Sequence, residues 1–119
     1  MRTVVFGKIE IVGYHCWPNA PLPVDFLRNK HRHIFHIEIG AMVGGDDREI
    51  EIFLLERSLA DFIKSRFKQN VFCSNEIDFE NLSCEMIAKE ILFSYQKAGY
   101  NVVYVCVSED GYGGARVEA

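Results

Sequence analysis

His31-Arg32-His33 runs directly into Ile34-Phe35-His36-Ile37-Glu38-Ile39, an alternating stretch rich in β-branched residues. Successive side chains of a strand point to opposite faces. His31 and His33 therefore share a face with Phe35, Ile37 and Ile39, while Arg32, Ile34, His36 and Glu38 take the other. Two imidazoles on one face, two residues apart, form a two-ligand clamp for a metal ion. An open zinc site needs a third protein ligand, and the candidate is His15, which ends the apolar segment from Ile9 to Tyr14. Antiparallel pairing of the two strands would bring it alongside. Zinc held by three neutral imidazoles keeps one tetrahedral position for water or substrate. The competing reading makes His31 and His33 surface residues of a basic stretch with Lys30 and Arg32, and His15 a half-buried ring satisfied by a backbone hydrogen bond. His36 faces away from the pair and stays outside the candidate set.

The elements that must position these residues can be read from periodicity. Thr3 to Tyr14 is dense in β-branched and aromatic residues and reads as a first strand, with Gly7 and Gly13 as bulges or close approaches. Pro18, Pro21 and Pro23 then disfavour regular structure, leaving a long loop from Cys16 to Asn29, a length that in compact domains points to function. The second strand runs from about His33 to Val43, and Gly44-Gly45-Asp46-Asp47 signals a hairpin. A third strand is expected from Arg48 to about Leu54, where Glu49 and Glu51 alternate with Ile50 and Ile52. The period then changes: Leu55, Leu59, Phe62, Ile63 and Phe67 recur at helical spacing, predicting a helix from about Glu56 to Lys68. Gln69 to Asn81 reads as an irregular connection. A second helix starts near Ser83, an N-cap residue, and stops at Gly99. Asn101 to Val107 reads as the last strand. The expected fold class is α+β: an antiparallel sheet in the order β-β-β-α-α-β, with two helices on one face.

Composition sets the bounds. In 119 residues, 49% hydrophobic and 13% aromatic content suffices for a core, and nothing suggests a boundary, so residues 1–119 are expected to form one domain. A formal net charge of -4 argues against a generic nucleic-acid binder, which carries a basic face to neutralise phosphates. Cys16, Cys73, Cys84 and Cys106 form no Cys-x-x-Cys pair, and the early apolar run from Val4 to Phe6 is too short for a signal or a membrane span. The expectation is a cytoplasmic protein with reduced thiols and no membrane partner.

The order of His15 and His31-x-His33, followed by an aromatic residue and an alternating strand, resembles the 6-pyruvoyl- and 6-carboxy-tetrahydropterin synthase family. Ser83-Cys84-Glu85-Met86-Ile87-Ala88 is similar to that family's Thr-Ser-Glu-Asn-Leu-Ala at the start of its second helix. Val105-Cys106-Val107-Ser108-Glu109, followed by Gly111 and Gly114, is similar to its last strand, which ends in a Glu and a small-residue turn. The likeness spans nearly the whole chain. It implies a tunnelling-fold subunit whose sheets join edge to edge into a barrel, as trimers or hexamers. It also implies zinc on His15, His31 and His33, and a pterin or purine-like ligand anchored by Glu109 with help from Ser83 and Cys84. The reaction it implies is a metal-assisted lyase or isomerase step on a reduced pterin, towards tetrahydropterins or the 7-deazaguanines of queuosine biosynthesis. The last strand is apolar on both faces, which oligomerisation would cover.

The chain departs from the family where the family moves protons. Its catalytic Cys stands four residues before the paired histidines, where this sequence has Leu27. Its Asp-His pair should fall near Val71 to Cys73, where no histidine occurs. General acid-base chemistry needs a titrating group in reach of the moving proton. Cys16, Cys73 and Asp25 are the substitutes on offer. The alternative function is a catalytically inactive protein of the same fold, binding a pterin, a purine or a protein partner. A second rival is a small α+β interaction module that holds no metal.

Overall fold

The computed structural model describes the backbone of residues 1–119 and every side chain except that of Ser74. Strands β1 (Thr3–His15) and β2 (His31–Val43) form a long antiparallel pair, with a short 3-10 turn at Asp25–Arg28 in the loop between them. Helix α1 (Ile52–Arg66) leads into β3 (Lys68–Asn70) and β4 (Cys73–Asp78). Helix α2 (Cys84–Lys97) leads into β5 (Val102–Glu109) and β6 (Gly113–Glu118). The six strands lie in the order β3-β4-β1-β2-β5-β6. The α+β class holds, with two helices on a sheet.

The sheet is mixed rather than purely antiparallel. Helix α1 packs against β1 and returns the chain to the outer side of that strand, so β4 joins β1 in parallel at Gly13 and Tyr14. The element order also differs from β-β-β-α-α-β. The stretch expected as a third strand, Arg48 to Leu54, contains no strand; its alternation ends in the first turn of α1. Glu51 caps that turn by accepting from the N–H groups of Phe53 and Leu54, both at 3.0 Å, so helix nucleation takes the segment. The connection expected to be irregular contains β3 and β4. Beyond Glu109 a turn and a sixth strand follow, placing β5 inside the sheet.

The core lies between the sheet and the helices. Phe35, Ile37 and Ile39 of β2 and Val105 and Val107 of β5 are fully buried with Leu59 and Ile63 of α1 and Ile87 and Ile91 of α2. Each contributes roughly 1.5–3 kcal/mol by leaving water. Gly13 is required by packing, since a Cβ there would stand 2.8 Å from both the Phe35 and the Phe79 rings. On the opposite face, the Tyr104 ring lies over Gly40, with the Arg116 guanidinium 3.6 Å from its centroid and its hydroxyl donating to Glu38 at 2.7 Å. Burial and the Glu38 carboxylate push the Tyr104 phenol up to about 12. Among the described residues, no helix is long and apolar enough to cross a membrane.

Candidate metal centre

The strand ladder assembles the histidines. In the β1–β2 register His15 stands opposite His31 and Gly13 opposite His33, so all three rings project from the helix-side face at one end of the sheet. Ring centroids are 4.6 Å apart for His15 and His31, 4.9 Å for His31 and His33, and 5.3 Å for His15 and His33. Phe35 lies beneath, 5.2 Å from His15 and edge-on to it. Sequence parity and register together account for this convergence.

Each ring is held from behind by an oxygen. His15 Nδ1 is 2.9 Å from the Leu82 carbonyl, His31 Nδ1 is 2.9 Å from the Asn29 carbonyl, and His33 Nδ1 is 2.7 Å from Asp110 Oδ2. A carbonyl only accepts, so Nδ1 of His15 and of His31 carries the proton and Nε2 is left for a cation or for a second proton. Glu109, ending β5, places Oε2 2.8 Å from His15 Nε2 and 3.2 Å from His33 Nε2. The second approach is too poorly aligned to be a hydrogen bond: His33 Nε2 is a buried atom with no hydrogen-bond partner among the described residues. A proximity of this kind, without a proton to share, suits a metal ion.

His15, His31, His33 and Glu109 form a group that could hold a metal ion, their ligand atoms all lying within 4.8 Å of one another. Ligand atoms about 2.0–2.2 Å from a tetrahedral ion stand roughly 3.3 Å apart. The 3.2 Å approach of Glu109 to His33 Nε2 matches that spacing, its 2.8 Å approach to His15 Nε2 would have to open by about 0.5 Å, and a pair at the 4.8 Å limit would have to close by about 1.5 Å. The donor set of three imidazoles and a carboxylate suits zinc and other borderline transition metals.

The centre borders a cavity of about 540 Å³. Of the residues expected to hold a ligand, Glu109, Ser83 and Cys84 all line it, although Glu109 also faces the histidines. Ser83 is the N-cap of α2, its hydroxyl accepting from the Met86 N–H at 3.2 Å. Burial, reinforced by the Glu109 carboxylate, pushes the Cys84 thiol up to about 12, so it stays protonated at neutral pH. The substitute proton carriers divide. Cys16 lines the cavity, its N–H donating to the Glu80 carbonyl at 2.8 Å. Cys73, exposed at the start of β4, and Asp25, exposed in the 3-10 turn, do not line it. Leu27 does. His36 lies on the opposite face of the sheet.

Two features carried no signal in the sequence. Asp110 is the His33 partner, and only its left-handed turn brings it there. Lys30 forms an ion pair with the buried Asp78. Burial alone would raise the Asp78 carboxyl, but the Lys30 ammonium and the Glu80 N–H outweigh it and hold the group below its ordinary value. No protein-family model matches the chain, and no curated protein shows significant sequence similarity to it.

Proposed function

We propose that the chain is a divergent protein of the tetrahydropterin-synthase type. In this reading it holds zinc on His15, His31 and His33 and takes a reduced pterin or a purine-like ring into the adjoining cavity. The observation that carries the reading is the convergence of three imidazoles, each backed by an oxygen, beside a cavity of about 540 Å³. Zinc there would supply Lewis-acid polarisation of a carbonyl or hydroxyl of the ring. The protein's own residues position the ligand. Trp17, Leu27 and Met86 offer apolar surface to a flat heterocycle. The Glu109 carboxylate, turned from the histidines towards the cavity, would accept hydrogen bonds from a guanidine-like ring edge.

Binding without turnover is favoured by Leu27, which occupies the cavity wall at the position where the resemblance expects a thiol, and by the protonated state of Cys84. The second reading, a lyase or isomerase step towards a tetrahydropterin or 7-deazaguanine, is supported by Cys16, which lines the cavity beside His15. A tunnelling-type subunit assembling edge to edge as a homo-oligomer is supported by β1. Its residues Thr3 to Val12 pair with β2 alone among the described residues.

Metal content per chain, in protein purified without added metal or tag histidines, tests the proposal. The parent is expected to carry about one zinc and a His31→Ala, His33→Ala double variant almost none. A folded parent with no metal would overturn it. If zinc is present, titration with a reduced pterin in the presence and absence of Cys16→Ala separates binding from turnover.

A further inference from the structure

Glu109 and Asp110 are consecutive, yet their carboxylates reach opposite sides of one ring. Glu109 Oε2 is 3.2 Å from His33 Nε2, and Asp110 Oδ2 is 2.7 Å from His33 Nδ1. In a continuing strand the second side chain would point to the other face. Asp110 instead leaves β5 at φ 55°, a left-handed conformation that Asp and Asn adopt more readily than most residues. The turn is fixed from β2: the Asp110 N–H donates to the Ile34 carbonyl at 2.8 Å, and the Ile34 N–H donates to Asp110 Oδ1 at 2.8 Å. One carboxylate oxygen thus serves the backbone and the other serves the ring.

We propose that Asp110 is the outer carboxylate of the metal centre, a positioning residue that fixes the tautomer and plane of His33 so that Nε2 presents its lone pair to the ion. This rests on the metal-binding reading of the three histidines. His15 and His31 are backed by neutral carbonyls, and His33 alone by a charged acceptor, the stronger anchor for the orientation of a ring. Asparagine at position 110 separates this role from a structural one. It keeps the left-handed turn, and its Oδ1 can still accept from Ile34. Its amide NH₂ is then turned towards His33 Nδ1, which must become an acceptor. The proton moves to Nε2, and the lone pair is withdrawn from the cluster.

The test compares the parent with Asp110→Asn and Asp110→Gly. Side-chain ¹⁵N spectra of the metal-free proteins, at a pH where the ring is neutral, report the tautomer. Competition against a chromophoric chelator reports zinc affinity. The parent is expected to hold His33 as the Nδ1–H form and Asp110→Asn as the Nε2–H form, with zinc affinity lowered about 10–100-fold. Asp110→Gly, which keeps the turn and offers no misplaced donor, is expected to fall between them. An unchanged tautomer in Asp110→Asn, or zinc affinity equal to the parent, overturns the proposal. If Asp110→Asn does not fold, parental affinity in Asp110→Gly overturns it. A parent that binds no zinc defeats the metal reading separately, and the tautomer comparison still decides whether Asp110 orients the ring.

Discussion

Strand β2 presents histidines on both of its faces, and the two environments differ in an instructive way. On the helix side, His31 and His33 meet His15 across the ladder, and an oxygen stands behind every ring. On the other side, His36 lies between Glu10 of β1 and Ser108 of β5 in register. Its Nδ1 is buried without a hydrogen-bond partner among the described residues, and Glu10 Oε1, at 3.6 Å, is beyond hydrogen-bond range. His33 Nε2 is orphaned in the same sense. A buried, unsatisfied imidazole nitrogen therefore occurs on both faces and does not by itself define a metal centre. Register and the supporting acceptors make the difference.

The contrast is open to direct attack. Replacing His15 by Ala should abolish stoichiometric zinc, whereas His36→Ala should keep about one zinc per chain. Equal loss from both variants, measured by elemental analysis, would erase the distinction between the faces. The next effect concerns the floor beneath the cluster. Phe35→Ala should cost about 3–5 kcal/mol in urea unfolding, because a fully buried ring is removed. Ile34→Ala, at a position 38% exposed on the opposite face, should cost less than about 1.5 kcal/mol. The smallest effect should come from the Lys30–Asp78 pair beside the histidine end. A carboxyl held below its ordinary value of 3.8 stabilises the fold above that pH, and the contribution is lost as pH falls through the lowered folded value. Asp78→Asn should therefore be less stable than the parent at pH 7, with the gap closing below about pH 4. A gap that stays constant through that range would show that the pair is not the source.

The histidine geometry was legible because it depends on period-two parity, which a sequence displays, together with antiparallel pairing of two long apolar segments. The helices were legible for a similar reason. Leu55, Leu59 and Ile63 on α1, and Ile87, Ile91 and Tyr95 on α2, repeat at helical spacing and are buried as that spacing implies. The failures fall where local pattern and tertiary context compete. Ile50 and Ile52 alternate with glutamates as a strand would, yet Glu51 serves as a helix cap. β3 is three residues long and polar, and β6 opens with two glycines, so neither carries an apolar alternation. Asp110 was invisible as a partner of His33 because its role depends on a left-handed turn 77 positions away in the chain.

The three histidines take their positions from the strand ladder, and none belongs to the loop whose Trp17 and Leu27 line the cavity. A change of length within residues 17–29 leaves His15 opposite His31. A single-residue insertion between Val4 and Tyr14 would carry His15 to the other face of the sheet. Over evolutionary time this part of the cavity wall can therefore be recut for new occupants while the triad stays in place, and the strand that delivers His15 has almost no freedom to drift.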